Sequence, residues 1–255
     1  MGTIHLSLAD SWYNRPMQND SLAFLRLLHF ADSALPVGAA AHSFGLETLV
    51  ADGSLKVEML EVFLRDYLEE AGGLECTFCL LGYRLACQLA AQTQLDDDAL
   101  AQWLALHARL GAFKPARESR QASAALGRRF LQLALGLQVH PFLTEFVRTA
   151  KTAAIETHHC IAFGLVCGLL GVDETGTGLA YTQQSLTGLV SACQRLLPLG
   201  QSQASQILWH LQPTLLALVE RSKAAATDNA IFNFTTLLDI GSMRHPVLTT
   251  RLFIS

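Results

Sequence analysis

In Ala41-His42-Ser43-Phe44-Gly45 an imidazole and a hydroxyl stand side by side just ahead of a glycine. The run fits a relaxed nucleophile elbow with Ala41 in place of the first glycine, a device that presents serine on a strand-to-helix corner for acyl transfer. Thiols and imidazoles suggest a second chemistry. Cys76 and Cys79 have C-x-x-C spacing, and His158-His159-Cys160 lies two helical turns before Cys167. Such donors suit zinc, nickel or copper. A third candidate is Gly176-Thr177-Gly178, a fragment of a glycine-rich phosphate loop.

Each candidate competes with a plainer explanation. An elbow needs a strand before the serine and a parallel sheet to hold it, yet residues 30–34 read as a helix end and no βαβ unit follows. Ser43 serves equally as a cap for a helix opening near Gly45, with Glu47 in its first turn. A structural zinc site wants four ligands, and there is no second C-x-x-C. On a helix, Cys76 and Cys79 share a face with Leu80 and Tyr83, as small buried hydrophobes do. Residues 176–178 follow no strand, and no G-x-x-x-x-G-K-[ST] occurs, so they read as a turn between helices. Three classes stand at this point: a serine hydrolase using the AHSFG elbow, a dedicated metal-binding protein using the cysteines or His158 and His159, and a protein that acts by binding others.

The elements that would position these groups are helical. Leu60, Phe63, Leu64, Tyr67 and Leu68 recur at i, i+3, i+4, i+7 and i+8, with Glu61, Arg65, Asp66 and Glu69 opposite. Gly72-Gly73 reads as the end of that helix. Asp96-Asp97-Asp98 supplies a cap and favourable charge for a helix that puts Leu100, Trp103, Leu104, His107 and Leu110 on one face. Pro115 suits a first turn for a helix running to about 136. Further helices read at 141–151, 156–170, 179–197 and 203–221, the last bent by Pro213. Alternating Val, Ile and Thr runs with hairpin dipeptides are missing. The reading is all-α, a single-domain bundle of about nine to ten helices over residues 21–240. Residues 1–20 read as a flexible leader. Residues 241–255 read as an extended tail, whose Leu252-Phe253-Ile254 is too apolar to stay in water and therefore docks on something.

With 255 residues, 51% hydrophobic and 16% charged, the chain can bury a large core. Its net charge of -4 and the lack of a basic, aromatic-laced cluster argue against nucleic acid as the main partner. Low charge points to a surface partly covered by other proteins. The longest dense apolar run, residues 161–172, is shorter than the roughly 20 residues a bilayer needs, so no membrane span is expected. Six cysteines within helical patterns, with no export signal, are expected to be reduced and buried in a cytoplasmic protein.

Five segments together carry a family resemblance: LPVG and HSFGLE at 35–47, ARESRQAS and LGRR at 116–129, HHCIAFGL at 158–165, SACQRLLPLGQ at 191–201 and TRLFIS at 250–255. In order and spacing they resemble the UreF-type urease accessory proteins over about residues 21–255. The resemblance implies a non-enzymatic, dimeric helical scaffold. It would bind a UreD/UreH-type accessory protein and the UreG-type GTPase and deliver nickel to apo-urease, with no cofactor of its own. It places partner binding on Pro36, Gly38, Ser43, Gly45 and Glu47, on Glu118, Arg120 and Ser123, on Gly200 and Gln201, and on Arg251, Leu252 and Phe253. The tail is implied to order on the UreD/UreH-type partner. His42 stands where the family usually has tyrosine, and Ala40 where it has an aromatic, which removes ring contacts and adds a group that titrates near neutral pH.

Overall fold

The computed structural model describes residues 16–89, 95–231 and 235–255, so residues 1–15 of the expected leader lie outside the described residues. Among the described residues there is no strand, and twelve α-helices follow in order: α1 Pro16–Phe30, α2 Leu46–Ala51, α3 Leu60–Tyr67, α4 Gly73–Leu89, α5 Asp97–Phe113, α6 Arg117–Gly136, α7 Phe142–Thr152, α8 His159–Leu169, α9 Glu174–Leu196, α10 Gln201–His210, α11 Gln212–Asp228 and α12 Thr236–Arg244. Pro16–Asp20, assigned to the leader above, belong to α1.

Apolar residues all round α8 place it at the centre, where every residue from His159 to Cys167 is buried. It packs chiefly between α4 and α6. At Gly82 and Gly164 the backbones of α4 and α8 approach so closely that a Cβ would strike a carbonyl of the other helix. Trp103, Phe130, Phe146 and Phe163 fill one core. A second core gathers Leu46, Leu60, Leu64, Leu68, Leu186 and Leu211, and Phe253 from the C-terminal end joins it.

Several local expectations change. Gly72-Gly73 does not end a helix: a π-helical turn, Leu68–Gly72, carries α3 straight into α4, and both glycines press against Leu218 of α11. Residues 176–178 lie inside the start of α9, because Asp173 caps it by accepting the Gly176 N–H at 2.7 Å and Gly178 packs on Val219. Pro213 does not bend one long helix but sits in the first turn of α11, separating it from α10. The tail leaves helical structure only beyond the 3-10 turn His245–Val247, since α12 runs through position 241, and it then bends at residues 249–250 and 252–253. Cys87 is exposed, while the other five cysteines are buried and free. Burial pushes the Cys76 and Cys193 thiols up to about 12, which leaves them protonated and inert. No helix is long and apolar enough to cross a membrane among the described residues.

Candidate functional site

The loop between α1 and α2 is shaped by backbone demands. Gly38 and Gly45 adopt φ of +83° and +93°, and Phe44 is left-handed as well at +52°. Gly45 has a second reason to lack a side chain: a Cβ there would stand 2.9 Å from both the Leu238 carbonyl oxygen and Ser242 Oγ of α12. Helix α12 can therefore lie directly on the start of α2. That crossing brings Glu47, in the first turn of α2, under the C-terminal segment.

Glu47 is the anchor of the assembly. Its side chain is 6% exposed and accepts the Leu252 N–H at 2.5 Å and the Phe253 N–H at 3.1 Å. His245 Nε2 lies 2.8 Å from the same carboxylate, and His245 Nδ1 lies 2.7 Å from Glu118 Oε2 at the start of α6. The His245 side chain is fully buried between the two acids. Arg251 reaches the other Glu118 oxygen at 3.3 Å. Burial pushes the Glu47 carboxyl up, but the amide donors of Leu252 and Phe253 together with His245 outweigh it and hold the group below its ordinary range.

The last residues then run along the loop. Ile254 N–H donates to the Ala41 carbonyl at 2.9 Å, and the Ser255 carbonyl accepts the Ser43 N–H at 2.5 Å and the Ser43 hydroxyl at 3.0 Å. His42 Nδ1 meets Ser255 Oγ at 2.8 Å. Burial alternates along these residues: Phe253 and Ser255 are buried, whereas Leu252 and Ile254 are 58% and 68% exposed. The Arg195 guanidinium covers the Phe253 ring at 4.2 Å and donates to the Ala40 carbonyl at 2.8 Å.

His42, Ser43, Gly45, Glu47, Glu118, Arg251, Leu252 and Phe253 thus converge. Pro36 and Gly38 flank them, with Val37 carbonyl accepting from Arg129 at 3.2 Å. Arg120 and Ser123 serve elsewhere: Arg120 donates to the Lys114 carbonyl at 2.8 Å and pairs with Glu156 at 3.2 Å, and Ser123 bonds His158. Gly200 and Gln201 form the exposed start of α10, apart from this cluster. His245 and Arg195 were not singled out from sequence; the signal was a buried-looking glutamate in α2 in need of a cationic or N–H partner.

Ser43 is not placed as a nucleophile. It is fully buried, its hydroxyl donates to a carbonyl, no strand precedes it among the described residues, and His42 bonds Ser255 instead. It also does not cap α2, whose cap, Gly45, offers no side chain. Burial first, and the Arg129 guanidinium second, hold His42 below its ordinary pKa. His158 and His159 lie in the interior, where burial lowers both to about 4 and keeps them neutral. Among the described residues no group of three or more His, Cys, Asp or Glu side chains is placed to hold a metal ion. Near His159, Glu75 pairs with Lys114 at 2.5 Å and accepts the Tyr181 hydroxyl at 2.7 Å, a closed ion pair between helices.

A family model described as UreF matches residues 56–212. Over 230 residues the chain is 33% identical to the urease accessory protein UreF of Actinobacillus pleuropneumoniae, which covers 90% of this chain and 97% of the relative. The urease accessory protein UreF of Lachnoclostridium phytofermentans is 33% identical over 235 residues, 91% of this chain and 98% of the relative. That of Haemophilus influenzae strain PittGG is 31% identical over 230 residues, 90% and 94% respectively.

Proposed function

This chain belongs to the UreF family of urease accessory proteins, and we propose that it is a non-enzymatic scaffold in urease maturation. In this reading it works in the cytoplasm as a homodimer. It bridges a UreD/UreH-type protein and a UreG-type GTPase while nickel, the cargo of the whole complex, passes to apo-urease. The scaffold favours one nucleotide state of the GTPase over another and so couples hydrolysis to metal release, without contacting the phosphates chemically.

One observation carries the proposal. Three family motifs far apart in sequence meet around His245, with Glu47 and Glu118 on either side of its imidazole, and the segment they hold turns Leu252 and Ile254 outward beside Arg251. Exposed aliphatic side chains on an immobilised segment, ringed by charge, are what a partner protein recognises. The UreD/UreH-type protein is assigned to this outward side of the tail. The loop at residues 36–45 and the Gly200-Gln201 turn are assigned to the GTPase.

Complementation tests the proposal. In a urease-expressing host deprived of its own UreF-type protein, this chain restores urease activity, and Ser43→Ala retains most of that restoration. A fluorophosphonate probe leaves Ser43 unlabelled. Labelling of Ser43, with loss of activity in Ser43→Ala, would replace the scaffold with a hydrolase.

A further inference from the structure

Helices α6 and α7, joined by residues 137–141, enclose an open groove of about 660 Å³. Arg128, Leu131 and Gln132 project into it at i, i+3 and i+4 from α6, and Val147, Ala150 and Lys151 repeat that spacing from α7. Leu131 and Ala150 form a buried apolar floor, while Arg128, Arg129 and Lys151 stand exposed on the rim. One end closes on Pro36, so the groove adjoins the loop described above.

The charge of this groove runs against that of the chain. The whole sequence carries -4, yet three cations line the groove and no carboxylate does. The acids nearby are engaged: Glu145 with Arg148, Glu156 with Arg120, and Glu118 with His245 and Arg251. Arg129 gives one nitrogen to the Val37 carbonyl, and Arg128 and Lys151 form no ion pair among the described residues. Unpaired cations around an aliphatic floor call for a ligand with carboxylates on its flanks and aliphatic side chains between them.

We propose that the α6–α7 groove docks an acidic, aliphatic-bearing segment of a partner protein. Its carboxylates meet Arg128, Arg129 and Lys151, and its aliphatic side chains cover Leu131, Val147 and Ala150. Nucleic acid fits less well, since no aromatic side chain lines the groove to stack on a base. This docking place adds to the tail-borne face. It rests on the scaffold reading only in expecting a partner, and it is measured on the chain alone, so its failure leaves that reading untouched.

The probe is a fluorescein-labelled helical peptide of roughly 14 residues, about four turns, with Leu at i, i+3, i+4 and i+7 and Glu on both flanks. Anisotropy titration of the full chain is expected to show saturable binding that weakens with salt. Combined Arg128→Glu and Lys151→Glu reduces affinity by about tenfold or more. Arg148→Glu, outside the groove and paired with Glu145, leaves it unchanged. The same peptide with Lys in place of Glu binds at least tenfold more weakly. Both groove substitutions are solvent-exposed, and an unaltered helical circular dichroism signal confirms folding; should the double variant unfold, Arg128→Ala and Lys151→Ala singly are expected to show the same direction. The proposal is overturned by absent saturation, by equal affinity in the groove variants, by equal affinity for the Lys peptide, or by competition from oligodeoxythymidine as strong as that from the Glu peptide.

Discussion

Glu47 and His245 are 198 positions apart in the chain and 2.8 Å apart in the fold. That single contact, completed by Glu118 on the far side of the imidazole, decides where the C-terminal segment goes. The tail does not extend away from the bundle. It folds back along the α1–α2 loop, its amides bound to Glu47 and its terminal carbonyl bound to Ser43.

Glu47→Gln tests the anchor with little change of shape. The amide retains one acceptor but loses the carboxylate charge that strengthens the Leu252 and Phe253 N–H bonds, and charge-assisted bonds are roughly twice as strong as neutral ones. Expected destabilisation is about 1–3 kcal/mol. The loss should concentrate at the tail, so hydrogen exchange at the Leu252 and Phe253 amides rises well beyond that of α8. Unchanged protection of those two amides would show that Glu47 is not the anchor.

Two separate acid transitions are expected. His158 and His159 have folded pKa values of about 4 against an ordinary 6.5, so the unfolded chain binds protons first and stability falls as pH drops from about 6.5 towards 4. Each contributes on the order of 3 kcal/mol across that window. Glu47 has a folded pKa below its ordinary value of 4.5, so its contribution is present above that value and is lost only as pH falls through the lower folded value. Urea midpoints followed against pH, compared with His159→Gln and Glu47→Gln, assign the upper window to the histidine and the lower to the carboxylate. A single transition untouched by either substitution contradicts both assignments.

Gly45→Ala should be more damaging than Gly53→Ala. Both positions have positive φ, at +93° and +76°, but a Cβ at 53 meets nothing within 4 Å whereas one at 45 meets the backbone of α12. The conformational penalty alone is about 1 kcal/mol, and the collision raises the loss at Gly45 to roughly 2–4 kcal/mol. Thermal denaturation of the two variants reads the difference, and equal midpoints would mean that α12 is not seated on α2.

Helical architecture was legible because it is written locally. The i, i+3, i+4 recurrence from Leu60 to Leu68 and the Asp96 cap of α5 are statements about neighbours, and they hold in the fold. Gly72-Gly73 and residues 176–178 misled because glycine serves both chain breaks and close helix contacts, and only the presence of Leu218 or Val219 tells which. The motif residues were found through the family pattern, but their grouping was not. Nothing near His245 in sequence announces two carboxylates 127 and 198 positions away, and Arg195 over Phe253 is likewise a contact that no local pattern announces. Arg120 and Ser123 share a motif with Glu118 yet point into other contacts, since residues two and five positions on along a helix face different neighbours.

Co-purification shows whether the outward side of the tail holds the UreD/UreH-type protein. Wild-type chain, a chain lacking residues 244–255, and a full-length chain with Leu252→Asp and Ile254→Asp are each co-expressed with the UreD/UreH-type protein and the UreG-type GTPase. Wild type is expected to retain both proteins, and each altered chain to lose the UreD/UreH-type protein, the aspartate variant while still folded. Full retention of that partner by both altered chains contradicts that assignment.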